Sequence, residues 1–138
     1  MTQTKQMMIL VAGPYRSGTN DNPELIEHNV KAMTDTALEV FRMGHLPVLG
    51  EWFALPLIQA AGSKEMGDDI FNEIFHPIAV DLISHCDAVL RIGGPSTGAD
   101  EMVKTARLNG KVVFFSTNEV PARVKRTSYP SKLFPPRI

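Results

Sequence analysis

The apolar positions of this chain change rhythm repeatedly between strand-like runs and helical spacing. MMILVAG (7–13) is an unbroken apolar run closed by glycine, the pattern of a strand buried on both faces of a parallel sheet. PYRSGTNDN follows as a loop. Asn22 and Pro23 then mark a helix start, with asparagine as N-cap and proline at the first helical position. Glu24 and Glu27 suit the positive end of that helix. Ile26, Val30, Met33, Ala37 and Val40 or Phe41 recur at helical spacing and define one buried face, and Gly44 stops the helix. HLPVLG (45–50) reads as a second short strand. EWFALPLIQAAGSKEMGDD (51–69) divides into a short helix and a mobile loop. FNEIFHPIAVDLISHC (71–86) is helical and is expected to break or restart at Pro77. DAVLRIG (87–93) is a third strand, Ala99 to Asn109 a helix closed by Gly110, and KVVFFS (111–116) a fourth strand.

This β-α-β-α-β-α-β order with short joints predicts an α/β protein: a three-layer, doubly wound (Rossmann-like or flavodoxin-like) open parallel sheet of four to five strands. The domain is expected over residues 1–118. The segment 119–138 differs from it. Arg123, Lys125, Arg126, Lys132 and Arg137 face only Glu119 there, among four prolines. It reads as a basic, proline-rich arm lying on its own domain or on a neighbouring subunit, or as one that brings a cation or Tyr129 to a ligand phosphate.

Composition narrows the function classes. The 138 residues suffice for one domain with a core. A net charge of -1 gives no reason to expect a nucleic acid polymer as partner. The single cysteine, Cys86, excludes an intrachain disulfide and a cysteine-based zinc cluster, and reads as a small buried hydrophobe. No apolar run approaches the roughly 20 residues of a membrane span, and the N-terminal stretch does not read as a signal peptide. A cytoplasmic protein is expected, with no membrane partner.

In open parallel sheets ligands bind outside the carboxyl ends of the strands, so the loops after each strand hold the candidate chemistry. After the first strand stands GPYRSG (13–18). Gly13 and Gly18 permit a tight turn and close backbone approach. Arg16 presents a fork of donors for phosphate or carboxylate, and Tyr15 a flat face for a base or sugar; both also fit a solvated loop arginine and a ring packed on the sheet edge. After the second strand, Glu51 and Trp52 could hold a ribose hydroxyl and stack a base, or serve as helix cap and core. After the third, Gly93, Gly94 and Gly98 allow sharp bends, and Ser96, Thr97 and the free N–H groups of the next helix make an anion site. Asp100 and Glu101 fall in that helix's first turn, where the dipole alone favours acids; at most one of them is expected to face a ligand. There is no GK[ST] of a P-loop and no GxGxxG. His28, His45, His76 and His85 lack metal-ligand spacing. No metal or organic cofactor is expected.

Taken together, ILVAGPYRSG, HLPVLGEW after the first helix, a helix leading into CDAVL, and PSTGA...A...GK before the last strand resemble the nucleoside 2-deoxyribosyltransferase-like family, closest to the deoxynucleoside monophosphate N-glycosidases. The likeness spans roughly residues 8–115. It implies cleavage or exchange of the bond between a nucleobase and deoxyribose, by a glutamate nucleophile after the third strand and a second carboxylate on the preceding helix that handles the proton. It also implies a 5′-phosphate clamp at Arg16 and Ser96, and a homo-oligomer whose neighbouring subunit closes the site. The carboxylates stand out of register: the family's nucleophile position falls on Met102 and its proton-handling position on Ala79. The expected catalytic set is therefore Glu101 as nucleophile with Asp81, or Asp69 and its neighbour Asp68, as acid. The binding set is Gly13, Tyr15, Arg16, Glu51, Trp52, Ser96 and Gly98. The expected ligand is a small-molecule nucleoside or nucleotide. A non-catalytic nucleotide-binding module, or an enzyme resembling the phosphoribohydrolases, whose PGGxGTxxE loop GGPSTGADE loosely echoes, stands as the alternative.

Overall fold

A computed structural model describes residues 5–123; Lys125, Arg126, Tyr129, Lys132 and Arg137 of the basic arm lie outside them. The elements run β1 (Met8–Ala12), α1 (Pro23–Arg42), β2 (Leu46–Val48), α2 (Gly50–Ala60), α3 (Asp69–His85), β3 (Ala88–Arg91), α4 (Thr97–Leu108) and β4 (Val112–Phe114), followed by a 3₁₀ turn, Thr117–Glu119. The strands form one sheet in the order β2-β1-β3-β4. Every pairing is parallel, with Leu10 opposite both Val48 and Val89, and Val89 opposite Val113.

Alternation along the two central strands fixes the layers. Leu10 and Ala12 of β1 and Val89 of β3 point to one face, where Ile83 and Cys86 and then Ala99 and Ala106 of α4 close over them. Ile9, Ala88 and Leu90 point to the other face, against Val40 of α1 and Val120. Val11 on that face packs against Met33, Ala37 and Leu49. Ile26, Met33, Ala37 and Val40 are the buried stripe of α1. The Asn22 side chain caps α1 by accepting from the Glu24 and Leu25 N–H groups, as the sequence predicts. Pro47 sits in β2, an edge strand, where a missing N–H is tolerated.

Two local expectations are corrected. Helix α3 runs unbroken through Pro77. The bond lost there would have reached back to Glu73, and both residues are exposed, so water can take the orphaned carbonyl. Buried Phe71, Ala79 and Ile83 hold the helix together on its other side. The stretch between α2 and α3 is a tied loop. Its knot is Asp68, N-cap of α3, whose carboxylate accepts from Phe71 N (2.8 Å), Lys64 N (3.0 Å), Glu65 N (3.3 Å) and Ser63 Oγ (2.9 Å). These bonds hold the Asp68 carboxyl down at about 2, the Phe71 N–H contributing most.

Beyond β4 the chain crosses the α1 face of the sheet. Val120 is buried there, and fully buried His45 fastens the crossing. Its Nδ1 accepts from Met7 N (3.0 Å). The proton therefore sits on Nε2, which donates to the Pro121 carbonyl at 2.6 Å. Cys86 is 1% exposed, and burial pushes its thiol up to about 11, so it behaves as a core residue.

Candidate active site at the switch point of the sheet

Strand order reverses direction at β1, so the loops after β1 and β3 diverge and leave a crevice between them. A cavity of ≈ 250 Å³ occupies it. The β1 loop contributes Gly13, Tyr15, Arg16 and Ser17; α2 contributes Glu51; α3 contributes Phe71, Asn72 and Phe75; and Ser96, Gly98, Ala99 and Met102 close the far side. Larger depressions of ≈ 460 Å³ and ≈ 400 Å³ lie along the outer side of α4 and along α1. Others of ≈ 460 Å³ and ≈ 450 Å³ lie beyond the ends of β3 and β4, lined by Arg91, Gly93 and Phe115, and along α1. None of these four is lined by a buried carboxyl, which only the crevice has among the described residues, so the crevice is the candidate site.

Close approach of backbones builds its floor. A Cβ on Gly13 would stand 3.1 Å from Ile92 Cγ1 and from the Ile92 carbonyl, so glycine lets the β1 loop lie against the end of β3. Asn29 of α1 donates to the Tyr15 carbonyl at 3.0 Å and pins that loop. One wall is aromatic. Tyr15 and Phe75 have ring centroids 5.4 Å apart, and Phe71 stacks on Phe75 at 4.9 Å. Arg16 lies over Phe71, its Cζ 5.7 Å from the ring centroid, a favourable cation–π arrangement.

Arg16 is also held at its edge. Its Nε donates to Asp21 Oδ1 at 2.9 Å and its Nη2 to Asp21 Oδ2 at 3.0 Å. This pair raises the arginine and lowers the aspartate from their ordinary values, the shared hydrogen bonds being the main cause for each. Asn20 and Asp21 both have positive φ, 51° and 57°. Such left-handed backbone costs an ordinary residue about 1–2 kcal/mol, and Asn and Asp tolerate it best.

Opposite stands the start of α4. Ser96, 6% exposed, caps it by accepting from Ala99 N at 3.1 Å, while Asp100 N donates to the Ser96 carbonyl. The Thr97 and Gly98 N–H groups make no bond within the described residues; they form the positive end of a helix beside the cavity.

Glu51 is the one acid in the cavity lining. It enters because α2 begins immediately after β2, with buried Leu49 and Gly50 turning its second residue inward. Glu51 is 6% exposed, and its Oε2 has no hydrogen-bond partner. Desolvation pushes its carboxyl up to about 7. Tyr15, beside it, is raised by burial and then by the Glu51 charge, against an opposing pull from Arg16. A buried carboxyl that can hold or release a proton near neutrality is suited to general acid–base work.

The structure thus brings together Gly13, Tyr15, Arg16, Glu51, Ser96 and Gly98 of the expected set. It does not bring the others. Trp52 is 46% exposed on the outer side of α2, one residue past inward-facing Glu51. Glu101 is a correction. The Ser96 cap starts α4 at Thr97, so Ala99, Met102, Val103 and Ala106 turn toward the core and cavity while Glu101 faces solvent. Met102 lines the cavity where Glu101 was expected. Asp100 is also outside, paired through Oδ1 with Arg91 Nε at 3.1 Å. Asp81 and Asp69 are exposed on α3 and absent from the cavity lining, and Asp68 is consumed by its capping bonds. Ser17 and Ala99 of the cavity wall were missed, and so were Phe71, Asn72 and Phe75 of α3. Helix α3 precedes β3, so the strand-end rule does not reach its residues; the signal for Phe71 and Phe75 was the aromatic repeat at four-residue spacing. Among the described residues no cluster of three or more His, Cys, Asp or Glu is placed to hold a metal, and no helix is long and apolar enough to cross a membrane.

The arrangement has a counterpart among solved structures. The chain is similar to a 2-deoxyribosyltransferase from the psychrotolerant bacterium Bacillus psychrosaccharolyticus, with a TM-score of 0.51 and 22% sequence identity over 77% of this chain and 69% of that one. The chain has the fold of that transferase. No protein-family model and no curated protein matches it, so the likeness rests on architecture: a three-layer α/β open sheet, all parallel.

Proposed function

We propose that the protein belongs to the nucleoside 2-deoxyribosyltransferase-like family and cleaves or transfers the N-glycosidic bond of a (deoxy)nucleoside or its 5′-monophosphate in this cavity. The observation that carries the reading is Glu51: a carboxyl with an unpartnered oxygen, buried in a crevice that also holds an arginine, a helix N-terminus and an aromatic wall. The structural neighbour, described as a biocatalyst for the synthesis of antiviral and antitumoral nucleosides, supports glycosyl chemistry as the class.

The roles follow from placement. Arg16, with Ser96 and the first N–H groups of α4, receives the phosphate. The rings of Tyr15, Phe71 and Phe75 offer the apolar surface for base and sugar. Protonated Glu51 gives its proton to the departing base as the C1′–N bond breaks and the bonding pair goes to the base nitrogen. The carboxylate then takes a proton from the water or acceptor hydroxyl that adds at C1′. Glu101, Asp81 and Asp69 have no part in this scheme. A homo-oligomer fits the reading.

One observation favours a second reading, nucleotide binding without bond cleavage. A retaining mechanism uses two carboxyl groups about 5–5.5 Å apart, and this cavity is lined by one acid, with Met102 at the family's nucleophile position. Incubation with a panel of deoxynucleosides and their 5′-monophosphates, followed by chromatography for free base, separates the two. Free base released by the wild type and lost in Glu51→Gln supports the enzyme. Ligand-induced thermal stabilisation without any free base selects the binding module, and turnover unchanged in Glu51→Gln removes Glu51 from the chemistry.

A further inference from the structure

We infer that Asp21 is a built-in competitor of the ligand's anionic group: it occupies the Arg16 fork in the free protein and is displaced when a phosphate binds. The inference rests on the phosphate-clamp reading of Arg16.

Both edges of the guanidinium that could grip a phosphate with two bonds already have a neighbour. Asp21 takes the Nε–Nη2 edge with both oxygens, at 2.9 and 3.0 Å, which is the bidentate geometry an arginine offers to phosphate. The Nη1–Nη2 edge faces Gly67, where even a Cβ would come within 2.6 Å of Nη1 and 2.7 Å of Nη2. Phe71 covers one flat face. An anion that grips the fork with two bonds therefore replaces one of these neighbours.

Asp21 is the neighbour that can leave. Gly67 adjoins Asp68, which anchors its own loop with four accepted hydrogen bonds, and its carbonyl accepts from Asn72 Nδ2 at 3.0 Å. Phe71 is buried. Asp21 is half exposed, with a side chain 50% accessible, and stands on two successive non-glycine residues with left-handed backbone. Releasing it leaves a carboxylate that water can solvate. Exposed ion pairs of this kind shift an equilibrium by about five-fold at most, whereas phosphate brings a larger charge and more acceptor oxygens to the same fork. The pair therefore holds the arginine in place and lowers the affinity of every anion that needs the fork by the same factor. The turn that would open is short: Thr19 N donates to the Arg16 carbonyl (3.1 Å), Asn22 N to the Thr19 carbonyl (2.9 Å) and Asp21 N to Thr19 Oγ1 (3.2 Å).

Calorimetric titration of wild type, Asp21→Asn and Arg16→Ala with the four 2′-deoxynucleoside 5′-monophosphates and the matching deoxynucleosides tests this. Asparagine keeps the side-chain size and the tolerance for left-handed backbone while removing the charge. Asp21→Asn is expected to bind monophosphates about three- to five-fold tighter and deoxynucleosides unchanged, with Arg16→Ala losing the phosphate-dependent affinity. If Arg16→Ala loses that affinity and Asp21→Asn fails to gain, Asp21 only orients the arginine and the competitor role is overturned. If Arg16→Ala keeps it, or no monophosphate binds any of the three proteins, the phosphate clamp falls and the competitor with it. Hydrogen exchange in the wild type gives a second readout that needs no variant. The Asn22 amide is expected to lose protection with a bound monophosphate and not with a deoxynucleoside; retained protection in a monophosphate complex overturns the inference.

Discussion

Replacing Glu51 with glutamine makes the protein's stability less dependent on pH, in a direction and amount that follow from burial. In the fold the carboxyl titrates at about 7, against 4.5 in the unfolded chain. At about 1.4 kcal/mol per pH unit, that difference places about 3 kcal/mol on folding with Glu51 ionised. The sign follows from proton counting. Between pH 4.5 and about 7 the folded state holds a proton on Glu51 that the unfolded state has released, so stability falls as pH rises. The full contribution is present below 4.5 and lost once pH passes about 7. Glu51→Gln removes the titration, and its amide can meet cavity water in place of the acid's O–H. Urea unfolding of both proteins at pH 5, 6, 7 and 8, followed by far-UV circular dichroism, measures the gap between them. The variant should be close to the wild type at pH 5 and more stable by about 3 kcal/mol at pH 8, or about 10 °C in Tm for a chain of this size. Every other ionisable group is common to both proteins and cancels in the difference. A gap that stays constant from pH 5 to 8 would show that Glu51 is ionised and hydrated in the native state, and the acid–base role would fall with it.

Other perturbations test other parts of the argument. His45→Ala leaves the Met7 N–H and the Pro121 carbonyl without their partner. Both bonds are part-buried, so at about 1 kcal/mol for each bond lost Tm should drop by about 5–10 °C, with hydrogen exchange accelerating at Val120 and Arg123. Gly67→Ala forces a side chain onto a backbone with φ of 83° and into the Arg16 guanidinium. It should cost about 1–2 kcal/mol in urea unfolding and weaken monophosphate binding by moving Arg16. Asp68→Asn removes the charge that gathers four donors, and limited proteolysis should cut between α2 and α3 faster than in the wild type. Acid should do the same to the wild type: the Asp68 carboxyl lies below its ordinary 3.8, so the stability it lends is present above that pH and is lost as pH falls through about 2.

Most of the architecture was legible in the pattern of apolar residues. The double-faced run before Gly13, the Asn22-Pro23 start and the stripe from Ile26 to Val40 each follow from local rules, and tertiary packing agrees with them. Pro77 was misread because the rule about proline counts a lost hydrogen bond, not which side of the helix loses it. The site was legible as far as the strand-end rule reaches, which brought Tyr15, Arg16, Glu51 and Ser96 into view. Direction of side chains was not. Glu51 and Trp52 are neighbours in sequence, yet α2 turns the carboxylate inward and the indole outward. Glu101 and Met102 exchange places in the same way, because the Ser96 cap sets the phase of α4. A shift of one residue along a helix turns a side chain by about 100°, and which residue caps is decided by backbone geometry that composition does not record.

The His45 bridge ties Met7, just before β1, to Pro121, beyond β4. Both lie beside the amino ends of β1 and β2, while the crevice opens beyond the carboxyl ends. A surface anchor attached at Pro121 would therefore sit on the pole remote from the crevice, and an immobilised molecule would present the open mouth of that crevice to the flowing solution.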